Sequence, residues 1–205
     1  MMDMVDEITR AHRKLSDGEH KALVIRRRYE AEVEDVWDAC TDADRLKRWF
    51  LPVSGELRLG GRYQFEGNAG GEVLECVPPR RFKVSWAMGD APGLSEVEVE
   101  LTSEGSATWL ELRHVAEVPP EMWEGFGCGG VGVGWDLGLL GLALHLSGGE
   151  KVGEDTFHLT PEGRQVITAS ARAWGEAEEA AGIPADRAAA HVAAVTAFYA
   201  PEPGA

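Results

Sequence analysis

Cysteine is scarce in this chain: Cys40, Cys76 and Cys128 are far apart, odd in number and form no C-x-x-C pair. That excludes a disulfide framework and gives no thiolate zinc site. Histidine offers no better ligand set, because the six residues at 12, 20, 114, 145, 158 and 191 show neither H-x-x-x-H nor H-E-x-x-H spacing. No G-x-S-x-G elbow occurs, and no serine sits in a recognisable nucleophile setting. The residues therefore point to no catalytic motif, no metal and no cofactor. An apolar signal core is missing as well, since Asp3, Asp6 and Glu7 interrupt the N-terminus. The longest apolar run, Val131 to Leu146, contains Asp136 and His145 and is too short to span a bilayer. A cytoplasmic protein is expected.

Positive charge is also short, with 20 Lys and Arg against 35 Asp and Glu and a net charge of −15. Such a surface repels phosphate backbones and anionic lipid, which argues against nucleic-acid and membrane partners. What is present is ordinary for a globular protein: 205 residues, 44% of them hydrophobic, enough for one domain with an appendage.

The informative stretch runs from Leu23 to Phe65. Leu23, Ile25 and Tyr29 recur at the period of a half-buried strand, with Arg26 and Arg28 on the other face. Val33, Val36, Trp37 and Cys40 then fall on one stripe of a short helix. Thr41-Asp42 halts it and caps the next helix, Ala43 to Phe50, where Leu46, Trp49 and Phe50 face inward. Pro52 ends that helix, and Gly60-Gly61 interrupts a strand between Leu57/Leu59 and Tyr63/Phe65.

Three motifs in this stretch carry a resemblance: V-x-x-V-W-D-A at Val33 to Ala39, D-x-x-R-L-x-x-W-F at Asp42 to Phe50, and L-x-x-G-G-x-Y at Leu57 to Tyr63. Together they resemble START-like (SRPBCC) proteins, within them the branch named after the activator of the heat-shock-protein-90 ATPase. The likeness extends over roughly residues 20 to 150. It implies an α+β helix-grip fold, a curved antiparallel sheet wrapped around one long C-terminal helix with a cavity between them. The fold serves lipid binding, cyclisation, hydrolysis and chaperone stimulation alike, so it does not name a function.

The remaining pattern fits that architecture. Strands are expected at Glu72 to Val77, around Phe82, Val84 and Trp86, at Val97 to Leu101 and at Thr108 to Val115, joined by turns at 67–71, Pro78-Pro79, 89–93 and Gly105. A strand series without intervening helices means an antiparallel meander. Met4, Ile8, Ala11 and Leu15 fall on one stripe of an N-terminal amphipathic helix, and residues 16–21 read as a loop. Val131 to Leu146 reads as the long helix, with Gly134, Gly138 and Gly141 on one stripe. Helix-interior glycines cost roughly 1 kcal/mol each relative to alanine, so either close packing or space for a ligand must account for them. Thr160-Pro161 caps a helix running to Ala181, and Ala185 to Tyr199 forms a second. The expected division is 1–20, helix and loop; 21–147, helix-grip domain; 148–205, linker and helical hairpin. That hairpin could cap the cavity, pack on the domain's flank or join a homodimer.

Gly127, Gly129 and Gly132 match G-x-G-x-x-G literally, but Pro119-Pro120 precedes them and no βαβ unit follows, so no dinucleotide site is expected. Glu96, Glu98 and Glu100 share one strand face and read as solvated exterior. His114 shares a face with Leu110 and Leu112, which makes it either a hydrogen-bonded core histidine or a ligand-orienting group on the concave face. Asp136, inside an apolar helix, must be paired or protonated, and an arginine of the opening strand such as Arg28 is the expected partner. The candidate ligand-binding residues are Trp49, Phe50, Tyr63, Phe65, Trp86, His114, Trp135, Asp136 and Gly138. The function expected is binding of a small apolar or aromatic molecule between sheet and long helix. A chaperone partner, and a cyclase or hydrolase using the same cavity, are the alternatives.

Overall fold

The computed structural model describes residues 3–17, 20–89, 93–149, 151 and 153–201. The chain opens with α1 (Met4–Thr9), β1 (His12–Asp17) and β2 (Lys21–Tyr29), followed by α2 (Val33–Thr41) and α3 (Ala43–Trp49). Six strands come next: β3 (Val53–Gly55), β4 (Arg62–Phe65), β5 (Gly70–Val77), β6 (Arg81–Ser85), β7 (Ser95–Glu104) and β8 (Ala107–Ala116). The helices α4 (Pro120–Phe126), α5 (Gly129–Leu146), α6 (Glu154–Phe157), α7 (Pro161–Ala180) and α8 (Ala185–Tyr199) complete the chain.

The strands form an eight-stranded antiparallel sheet in the order β1-β2-β8-β7-β6-β5-β4-β3. Residues opposite one another in antiparallel strands share a face, so the register fixes the core. Ile25 faces Leu112, Leu112 faces Val99, and Val99 faces Phe82. The buried row continues through Leu23, Tyr29, Leu110 and Val97, and α2 and α5 pack against it. The opposite face carries cross-strand charge pairs, with Arg26 opposite Glu111 and Glu98 opposite Arg113. This is the α+β helix-grip arrangement, with α7 and α8 packed together on α5.

Capping explains the helix boundaries. The Asp42 carboxylate accepts from the Arg45 N–H at 2.9 Å and starts α3, and the Thr160 hydroxyl accepts from the Gly163 N–H at 2.9 Å and starts α7. Among the described residues α5 is the one helix long and apolar enough to cross a membrane; half of it is buried inside the fold.

Four segments differ from the sequence reading. The N-terminal helix ends at Thr9, and His12–Asp17 is an edge strand rather than a continuation. Ile8, Ala11 and Leu15 are buried as the helical stripe required. Arg13 and Leu15, however, alternate inward on a strand because β1 completes the ladder along the free edge of β2. Leu57 and Leu59 lie in a turn, Leu59 exposed, and the strand before Gly60 is instead Val53–Gly55. The approach to α5 contains the additional helix α4, with proline at its first position, and the linker contains the short α6. Gly18 and residues 90–92, within the expected loop and turn, lie outside the described residues.

Candidate functional site

One row of rings assembles where β4, β6, α3 and α5 meet. Tyr63 and Phe65 are two residues apart on β4 and so project from the same face, their centroids 5.5 Å apart. Trp86, just beyond β6, keeps the strand phase because its N–H donates to the Ser95 carbonyl. Its ring lies 5.6 Å from Phe65 and 6.5 Å from Tyr63. Phe50, where α3 ends, meets Phe65 edge-on at 5.0 Å and Trp49 at 5.6 Å. From α5, Trp135 leans on Trp86 at 4.9 Å. Gly138, three residues on, faces the Phe50 ring. Burial pushes the Tyr63 phenol up, and the neutral hydroxyl donates to the Ser85 carbonyl at 2.7 Å.

His114 joins the row through a bond that fixes its tautomer. The Trp135 indole N–H donates to His114 Nδ1 at 3.0 Å. Indole nitrogen can only donate, so Nδ1 is unprotonated and Nε2 carries the hydrogen. Nε2 then donates to the Ser95 hydroxyl at 3.0 Å. Burial lowers the imidazole pKa to about 4, so the ring is neutral at physiological pH with both nitrogens engaged. His114 is therefore bonded to side chains rather than to backbone.

Asp136 stands apart from these eight residues. It points away from the rings, where Arg13 of β1 donates to it twice, from Nε and from the terminal amino group, each at 2.9 Å. The Ser170 hydroxyl and the Trp174 indole of α7 add bonds at 2.5 and 3.0 Å. Both side chains of the ion pair are nearly inaccessible, 4% and 2% exposed. The partner is thus Arg13 and not Arg28, which is on the outer face and pairs with Glu104 at 2.7 Å and with Glu30.

Trp86 and Trp135 lean on each other across the space between sheet and α5, and open volume lies beside the ring wall. A sheet chamber of about 260 Å³ is bounded by Trp37, Cys40, Thr41 and Leu46 from the helices and by Tyr63, Phe65, Phe82, Val84 and Trp86 from the strands. A helix chamber, also of about 260 Å³, lies beside Trp49, Phe50, Gly134, Gly138 and Gly141, with Phe157, Ile167 and Tyr199 from the C-terminal segment across from them. The Cys40 thiol is pushed up to about 12 by burial, an effect Arg45 opposes, so it lines the sheet chamber as a small apolar group. Among the described residues no group of three or more His, Cys, Asp or Glu side chains is placed to hold a metal.

A second buried polar cluster escapes the sequence reading. Glu178 accepts from the Cys128 N–H at 2.7 Å and meets His191 Nδ1 at 2.8 Å, while His191 Nε2 reaches the Glu124 carbonyl at 3.2 Å. The Cys128 thiol is pushed up by burial and by Glu178, so the trio is no activated nucleophile. It ties α4, α5, α7 and α8 together. Gly127 has φ of 54°, and a side-chain carbon there would lie 1.9 Å from Glu178 Oε1. Gly129 and Gly132 pack against Val195 and Trp174. The literal glycine motif thus serves helix packing. The signal for Glu178 was available, since it follows the buried Trp174 by one helical turn.

The fold is that of the START-like class. More narrowly, residues 30–146 match the family described as Activator of Hsp90 ATPase homolog 1-like protein, and the chain belongs to that family. Among solved structures it is similar to CalU16 from Micromonospora echinospora, at 36% identity. The crystal structure of CalU16 gives a TM-score of 0.64 over 84% of this chain and 97% of that one; its solution structure gives 0.67 over 85% and 97%. A protein in the dynemicin biosynthetic locus, DynU16, shares the fold at 22% identity and a TM-score of 0.56, over 63% of this chain and 48% of that one. The Aha1 dimer from Colwellia psychrerythraea does so at 21% identity and 0.51, over 61% and 95%. No curated protein matches the sequence.

Proposed function

We propose that this chain is a cytoplasmic binding module that holds a small apolar or aromatic molecule in the sheet chamber, against the rings of Tyr63, Phe65 and Trp86. The observation carrying this reading is the chamber itself: about 260 Å³, walled by five aromatic side chains, with the Thr41 hydroxyl as its small polar group. Ligand sites are mostly apolar with a few placed polar groups and usually span about 300–1,000 Å³, so a compact ligand fits best. Trp49, Phe50, Trp135, His114 and Gly138 support the wall from behind rather than line this chamber. Asp136 fastens the helix that bears Trp135.

The family's description raises a second reading, contact with a heat-shock ATPase. A docking face for a protein of that size would need an apolar patch on the convex side of the sheet. That side carries opposed charges, and its Trp109 is covered by the Arg26 guanidinium at 4.5 Å. For a cyclase or hydrolase, His114 would have to act as a base, yet Trp135 and Ser95 occupy both its nitrogens.

Native mass spectrometry of protein purified from its own host tests the proposal. A stoichiometric apolar ligand that is lost on Trp86→Ala supports it. Ligand-free protein that gains no thermal stability from a broad panel of small aromatic compounds would refute it.

A further inference from the structure

The sheet chamber holds no charge of its own. Among the described residues none of its lining side chains is ionic, although Asp, Glu, Lys and Arg make up 27% of the chain. An ion inside it would give up hydration and meet no counter-charge, which is costly. The volume sets the scale of what fits. An apolar cavity of about 150 Å³ takes up benzene, so the chamber's 260 Å³ or so accommodates two fused rings.

Its two hydroxyls have already committed their hydrogens. Thr41 closes α2, and its hydroxyl donates back to the Trp37 carbonyl one turn earlier, at 2.7 Å, a bond that threonine in a helix readily makes. The Tyr63 hydroxyl donates to the Ser85 carbonyl, also at 2.7 Å. A hydroxyl has one hydrogen and two lone pairs, so each of the two can still accept and neither can donate. Thr41 is half-buried and Tyr63 buried, which makes Thr41 the more open acceptor. Donors come from the walls instead, because the indole N–H groups of Trp37 and Trp86 meet no acceptor among the described residues. Trp37 and Thr41, four residues apart on α2, are neighbours on its surface.

We infer that the ligand of the sheet chamber is an uncharged two-ring aromatic molecule bearing a hydroxyl, and that this hydroxyl donates to Thr41 Oγ1. A ligand hydroxyl is donor and acceptor in one group. It gives the threonine the hydrogen that its bond to Trp37 has used, and its own oxygen can accept from an indole N–H. An ether or a ketone lacks that hydrogen, and a carboxylate both lacks it and brings a charge that nothing in the lining neutralises. The inference rests on the function proposed above and adds to it the ligand's charge and polar group, with Thr41 as the residue that selects them.

Equilibrium dialysis of the full chain at pH 7 against 2-naphthol, 2-methoxynaphthalene and 2-naphthoate decides the matter. Saturable one-to-one binding of 2-naphthol is expected. Its methyl ether should be weaker by about three- to tenfold, the worth of one neutral hydrogen bond, and 2-naphthoate weaker than either. Thr41→Val should bring 2-naphthol down to the level of the ether and leave the ether unchanged, while Thr41→Ser, which keeps the hydroxyl, should restore the preference. Tyr63→Phe should leave the preference in place, each variant retaining the native circular dichroism spectrum. The inference is overturned by a preference for 2-naphthol that survives in Thr41→Val, by one that disappears in Tyr63→Phe instead, or by 2-naphthoate binding as tightly as 2-naphthol. If binding is still lost on Trp86→Ala in those cases, the chamber remains an apolar ligand site with a different selectivity. An absence of saturable binding of both 2-naphthol and its ether overturns the two readings together.

Discussion

Trp135 and Asp136 are neighbours in sequence and point about 100° apart around α5, into two different kinds of interior. On the Trp135 side the polar contacts are neutral, an indole N–H on an unprotonated imidazole nitrogen, and the rings leave chambers beside them. On the Asp136 side a carboxylate receives Arg13, Ser170 and Trp174, and packing is so close that a side-chain carbon at Gly132 would lie 2.3 Å from Trp174. The lesson is a division of labour within one helix. The ionic face fixes the position of α5 against β1 and α7, and the aromatic face can then leave volume open without the helix collapsing into it. A well-packed interior tolerates few voids larger than a water molecule, so paired open chambers need such an anchor.

The sharpest way to break this comparison is Asp136→Ala. It leaves the Arg13 guanidinium buried without its partner and strands the Ser170 and Trp174 donors. Removing one member of a buried ion pair costs about 3–5 kcal/mol. Urea denaturation should show a loss of that size, with the chambers disorganised before the sheet melts. A loss below about 1 kcal/mol, as for an exposed pair, would show that α5 is not anchored there.

How much of this was legible depends on whether the signal was local. The strand phase from Leu23 to Tyr29, the cap at Thr160-Pro161 and the helix Ala185–Tyr199 follow from period and capping, which act within a few residues. The same phase rule brought Trp49, Phe50, Tyr63, Phe65, Trp86, His114, Trp135 and Gly138 to one place. It could not identify Arg13 as the partner of Asp136, because the two are 123 residues apart and meet only through β1, whose pairing the helical stripe concealed. Nor could it locate open volume. Whether rings fill a gap or border one depends on how Trp86 and Trp135 lean on each other, which no pattern in the chain records. Arg27 shows the limit from the other direction: it is in the inward phase of β2 and is buried, and the strand tolerates it because the Glu7 carboxylate of α1 lies 2.5 Å away and the Tyr29 ring lies beneath its guanidinium.

On the neutral side, acidification is the lever. His114 has a pKa of about 4 in the folded chain against about 6.5 in an unfolded one. Between these values the unfolded chain binds a proton that the folded chain refuses, so stability rises with pH there and is lost as pH falls from about 6.5 to 4. Each unit is worth about 1.4 kcal/mol, so the total is roughly 3 kcal/mol. Many carboxylates titrate in the same range, and the difference between the native chain and His114→Gln isolates the histidine. Denaturation at pH 7 and at pH 4.5 should find the native chain losing about 2–3 kcal/mol more than the variant. Parallel losses would mean that His114 is solvated, and that the neutral, dry description of this side is wrong.

The smallest effect carries the finest distinction, between glycines that packing requires and one that it does not. Gly138→Ala places a carbon 3.6 Å from the Phe50 ring, and alanine in a helix interior is favoured over glycine by roughly 1 kcal/mol. The variant should therefore be more stable by about that amount, read as a rise in thermal midpoint of a few degrees for a chain of this size. Gly141→Ala, where the new carbon would lie 2.7 Å from a backbone carbonyl, should be less stable than the native chain. Opposite signs at two positions one turn apart on the same stripe would assign Gly141 to close packing and Gly138 to the open chamber. If both substitutions destabilise, glycine at 138 is also a packing residue, and the helix chamber is then an incidental crevice between α3 and the C-terminal helices.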